Sequence, residues 1–109
     1  YRQRYPNAHP DDMLPWVESK IEFARHRQDP GRSLDPWQPI AAKIACPVLL
    51  ITGEPEAGAI VSPAVAAEAQ QLNPRVQAVQ IAGAEHSIRR VAFEAYLRAV
   101  RAFLAQQYG

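Results

Sequence analysis

Pro47-Val48-Leu49-Leu50-Ile51-Thr52-Gly53 is the stretch on which the fold turns. It is a continuous apolar run bounded by proline and glycine, the pattern of a strand covered on both faces in a parallel sheet. An acidic turn follows at once, Gly53-Glu54-Pro55-Glu56. Ser62-Pro63 then predicts a helix start, with serine as the cap and proline in the first position. Val65, Ala69 and Leu72 keep one face of that helix until Asn73-Pro74 ends it. From Arg75 to Ala82, the apolar residues Val76, Ala78, Val79 and Ile81 predict a second strand, which leads into Gly83-Ala84-Glu85-His86-Ser87. A last helix carries Phe93, Tyr96, Leu97, Val100, Phe103 and Leu104 as one stripe, with Arg98 and Arg101 outside it.

Strand, helix, strand, helix with connections of this length means parallel pairing and a right-handed crossover. The expected fold class is therefore α/β, a partial three-layer α/β/α arrangement of two parallel strands with flanking helices. Two strands alone make a poor sheet. The pattern predicts partner strands, supplied by a missing part of the same fold or by another chain.

The residues before this core read differently. Seven of the ten prolines fall before residue 50 and divide that half into short pieces. One helix is expected from Asp12 to Arg27, capped by Asp11 or Asp12, with Pro15 in its first turn and Trp16, Val17, Lys20, Ile21 and Ala24 on a loosely apolar side. Gln28-Asp29-Pro30-Gly31-Arg32-Ser33 reads as a turn or linker, and a short helical piece from Trp37 to Lys43 leads into the strand. The division expected is residues 1–43 as a lid-like helical and linker segment and residues 44–109 as the βαβα core.

Composition narrows the partners. The 109 residues suffice for one small domain, and 48% hydrophobic against 21% charged residues is a globular balance. A formal net charge of +1, with twelve scattered Lys and Arg, supplies no basic footprint for nucleic acid and no attraction to an anionic membrane. The single cysteine, Cys46, excludes a disulfide-built scaffold and is expected to be a small buried apolar residue. No apolar run approaches the ~20 residues that span a bilayer, so a cytoplasmic protein is the default expectation. The chain opens at Tyr1 without a methionine and reads as the C-terminal part of a longer enzyme.

In an open parallel sheet, catalytic groups gather at the carboxyl ends of the strands. Glu54, Glu56 and His86 all fall at such ends. A carboxylate from the first turn that reaches the His86 imidazole would fix its tautomer and stabilise its charged form, giving two thirds of a nucleophile-activating triad. The third member is absent, because neither Gly-x-Ser-x-Gly nor Gly-x-Cys-x-Gly occurs in the sequence. Solvated turn carboxylates and a surface histidine are the plainer reading of the same residues.

Cys46 to Gly53, then Gly83-Ala84-Glu85-His86-Ser87, then a final helix from Phe93 to Leu104 together resemble the C-terminal third of the α/β-hydrolase fold family. In that family a Pro-Val-Leu strand ends in a Gly-x-x-Asp turn bearing the triad acid, and a later Gly-x-x-His turn bears the histidine. Gly83-Ala84-Glu85-His86 is similar to the second motif, and Gly53-Glu54-Pro55-Glu56 to the first with glutamate for aspartate. The resemblance implies His86 as general base and Glu56, or else Glu54, as its orienting acid. It also implies an ester-like small-molecule substrate and no cofactor or metal. Without the nucleophile, the 109 residues alone are expected to be inactive. A non-catalytic α/β binding or interaction module is the alternative.

Other residues take simpler readings. Ser62 is a cap and Ser87 a cap or loop donor. Gly53 and Gly58 lack the Gly-x-Gly-x-x-Gly or Lys-Ser/Thr context of a phosphate loop. His9 and His26 have no second ligand at metal spacing and are expected at the surface. Trp16 and Trp37 are packing residues, with an apolar acyl pocket as the alternative for both. Arg89 and Arg90 are expected near the mouth of the site, and a solvated start of the last helix explains them as well.

Overall fold

The computed structural model describes residues 1–26 and 35–109, which fall into two compact units, Tyr1–Asp35 and Pro36–Gly109. The expected turn at Gln28–Ser33, and the last residue of the expected first helix, Arg27, lie outside the described residues.

In the smaller unit a 3-10 turn at Pro10–Asp12 runs into helix α1, Met13–Arg25. Asp12, one of the two expected caps, takes the N-cap position of α1, while the His9 ring accepts the Asp11 N–H at the head of the 3-10 turn. The rings of Tyr1, Tyr5 and Trp16 gather with centroids 5.3 to 6.0 Å apart, and Tyr5 is buried. Trp16 is thus a packing residue, and Lys20 lies 5.4 Å over its ring. His9 and His26 are exposed, each beside a carboxylate of its own turn: Asp11 at 3.5 Å and Glu22 at 3.2 Å.

The larger unit begins with helix α2, Trp37–Ala42, and contains strand β1, Val48–Thr52, helix α3, Pro63–Leu72, strand β2, Val76–Gln80, the short helix α4, Ile88–Val91, and helix α5, Phe93–Tyr108. β1 and β2 pair in parallel, Val48 opposite Val76 through Thr52 opposite Gln80, in a two-stranded sheet. Ser62 caps α3 as its sequence suggests, its Oγ accepting the Val65 N–H at 3.2 Å with Pro63 in the first position.

Strand alternation sorts the sheet into two faces. Val48, Leu50 and Val76 line one cleft with Trp37, Ile44 and Val65 of the α2 and α3 side. Leu49, Gln77 and Val79 line another with α5. Helices therefore flank both faces of a small α/β arrangement. Helix α2, placed with the lid-like segment in the sequence division, packs on α3, and Gln38 Nε2 donates to Glu68 Oε1 at 3.3 Å.

The core is thin. Its buried apolar residues are Ala66, Ala69, Val76, Ile81 and Ala84, whereas Ile60, Leu72 and Leu104 stay exposed. β1 is half-buried from Val48 to Ile51 and buried only at Thr52, where both faces were expected to be covered. One neighbouring strand and two partial helical layers leave each of its side chains partly bare. Cys46, expected to be buried, is exposed, because it lies in the bend before β1, outside the paired residues. Among the described residues no helix is long and apolar enough to cross a membrane.

Asn73 locks the amino end of the sheet. Its side chain is 1% exposed, and its Nδ2 donates to the carbonyls of Ala41 at 3.0 Å and Ile44 at 2.9 Å. Its Oδ1 accepts the Arg75 N–H at 3.0 Å. One amide thus ties the end of α2, the approach to β1 and the start of β2, using most of its hydrogen-bonding capacity.

Candidate functional site

The carboxyl ends of β1 and β2 lie side by side, and their ladder continues past the strands. The Ile81 N–H donates to the Thr52 carbonyl at 2.8 Å, and the Glu54 N–H to the Ala84 carbonyl at 2.8 Å. The turn bearing the two glutamates is therefore hydrogen-bonded, backbone to backbone, to the turn bearing the histidine. Gln80 adds a longer link, its Nε2 donating to the Gly53 carbonyl at 3.3 Å.

Two glycines allow this approach. At buried Gly53 a Cβ would overlap the Ala84 carbonyl oxygen and sit 2.8 Å from that of Glu85, both backbone atoms that cannot rotate away. Gly58, at φ 106°, closes the 3-10 turn Pro55–Ala57 in the left-handed region. A Cβ there would lie 3.8 Å from the Glu85 Cβ, so the acidic turn passes the histidine turn a second time.

The side chains are less closely joined than their backbones. Glu54 is half-buried at the junction, while Glu56 and His86 are exposed. Among the described residues no hydrogen bond or ion pair joins the His86 imidazole to either carboxylate. The structure brings the turns of all three candidate residues together and leaves their functional groups unlinked. Ser87 caps α4 directly after His86, its carbonyl accepting the N–H groups of Arg90 at 2.9 Å and Val91 at 3.2 Å. Trp37, 36% exposed, lines the apolar cleft of about 400 Å³ between α2, α3 and the sheet.

Chemically, the turns mount an accessible imidazole and two carboxylates where two strands end. An imidazole so placed can take a proton from a nucleophile or a water brought to it. Among the described residues no three or more His, Cys, Asp or Glu side chains form a group suited to a metal. Sequence reasoning missed the parts that hold the turns together. The glycine after an apolar strand signals the close approach at Gly53, but nothing local signals that the Glu54 amide pairs with Ala84, thirty residues away. Comparison with family models, curated proteins and solved structures finds no match.

Proposed function

We propose that this chain supplies the histidine and the acid of a nucleophile–histidine–acid hydrolytic site of the α/β-hydrolase type, acting on an ester-like small molecule. The nucleophile comes from residues other than these 109. The observation that carries the reading is the Glu54 N–H to Ala84 carbonyl bond, which fastens the acidic turn to the histidine turn at the carboxyl ends of adjacent parallel strands. His86 acts as general base, and the half-buried Glu54 competes with Glu56 as the residue that orients it. The thin core and the half-bare β1 support completion of the sheet by further strands.

The test is ester hydrolysis by a longer protein in which a strand, a Gly-x-nucleophile-x-Gly turn and a helix accompany these residues. His86→Ala there lowers kcat by about 10²- to 10⁴-fold, the usual contribution of a general base. Of Glu54→Gln and Glu56→Gln, the one with the larger loss identifies the acid. Turnover by the 109 residues alone that survives His86→Ala overturns the mechanism.

A second reading, a non-catalytic α/β binding or interaction module, is favoured by the lack of a bond from the His86 imidazole to either glutamate. A longer protein with no nucleophile at a strand-to-helix turn decides for it.

A further inference from the structure

The cleft between β2 and α5 has no part in the hydrolytic reading and differs in kind from the one beneath α2 and α3. The latter is walled by apolar side chains alone. The former, about 460 Å³, sets Leu49, Val79 and Phe103 beside Gln77, Arg98 and Gln106. Its volume lies within the ~300–1,000 Å³ of small-molecule sites, which pair an apolar wall with a few polar groups.

The sequence builds this mixture from two periods. In the sheet, Leu49 pairs with Gln77 and Ile51 with Val79, so an amide sits among apolar side chains on the face turned to α5. Along α5, Ala95, Arg98, Ala99, Ala102, Phe103 and Gln106 follow the helical repeat on the side that lines the cleft. The small alanines open the space, and the longer residues define its chemistry.

Arg98 decides the ligand's charge. It is exposed, and among the described residues no carboxylate lies within ion-pair distance of its guanidinium. Its charged neighbours on α5 are Glu94 one turn before and Arg101 one turn after. An open guanidinium fork matches a carboxylate through two parallel donors, and an apolar wall beside it favours a ligand with a hydrocarbon body.

We propose that this cleft binds a small amphiphilic carboxylate. The hydrocarbon body lies along Leu49, Val79 and Phe103, the carboxylate meets Arg98, and the Gln77 and Gln106 amides offer further hydrogen bonds. The proposal is independent of the hydrolytic reading, since Glu54, Glu56 and His86 do not line the cleft.

The experiment titrates octanoate into the ¹⁵N-labelled 109-residue chain and follows backbone amide shifts. Saturable shifts at Gln77, Val79 and Arg98 are expected, weakened roughly tenfold or more in Arg98→Gln, as for loss of a charged hydrogen bond. Arg98→Lys keeps the charge and recovers part of the affinity. Arg101→Gln removes the same charge outside this cleft and binds like the parent. Spectral dispersion verifies that each variant is folded. No saturable shifts at these residues, shifts confined to the cleft beneath α2 and α3, equal weakening by Arg101→Gln, or equal affinity for octanol would each overturn the proposal.

Discussion

The two ends of the β1–β2 sheet are held by opposite means. At the amino end one buried side chain, Asn73, ties three backbone segments through three hydrogen bonds. At the carboxyl end the short ties are between backbones, Ile81 N–H to the Thr52 carbonyl and Glu54 N–H to the Ala84 carbonyl, and the second forms because residue 53 has no side chain. The amino end therefore breaks when atoms are removed, and the carboxyl end when an atom is added. The candidate site lies at the end that depends on an absence of atoms.

The largest effect tests the carboxyl end. Gly53→Ala forces its new Cβ against the Ala84 carbonyl, and a destabilisation of about 3 kcal/mol is expected in urea unfolding, the upper range for overpacking. Faster hydrogen exchange at the Glu54 amide accompanies it. A variant as stable as the parent would mean that the two turns do not approach so closely in solution.

Next comes the amino end. Asn73→Ala takes the side-chain partner from the Ile44 carbonyl and the Arg75 N–H and leaves the Ala41 carbonyl only weaker backbone bonds, with an expected loss of about 2 kcal/mol. A loss below about 0.5 kcal/mol would show that water replaces the amide at that end.

Ser62→Ala removes the cap of the helix that follows the acidic turn and is expected to cost about 1 kcal/mol by thermal or urea unfolding, with Ser62→Asp close to the parent. The smallest effect belongs to Gln80→Ala, below about 0.5 kcal/mol, since this exposed side chain makes only a 3.3 Å bond to Gly53. A larger loss there would mean that the carboxyl end also relies on side chains, and the contrast between the ends would fail.

What could be read from the sequence was what neighbouring residues decide. The Val48–Thr52 run, the Ser62-Pro63 start and the apolar repeat of α5 each became the expected element, because propensity, capping and periodicity act within a few residues. Cys46 was misjudged because burial depends on what covers a residue, and the bend before β1 leaves it exposed. Asn73 was legible as a helix stop beside Pro74, yet its clamp uses carbonyls 29 and 32 residues away. Arg98 was placed outside the apolar stripe, and only the β2 face shows what lies beside it. For the site, the strand-end positions of Glu54, Glu56 and His86 followed from the pattern. Whether an imidazole meets a carboxylate is set by rotamers and packing that no spacing rule contains.

The free side of β1 carries a different consequence, for production of the chain rather than for its chemistry. Among the described residues the sheet contains two strands, so one row of β1 backbone N–H and C=O groups has no ladder partner there. The strand bears no charge and no internal proline, two devices that usually blunt such a row. During synthesis and at high concentration, Val48–Thr52 is a template for pairing with another copy. Cys46→Lys, at the exposed position flanking the strand, would act as a gatekeeper, and the concentration at which the chain begins to aggregate should rise with it.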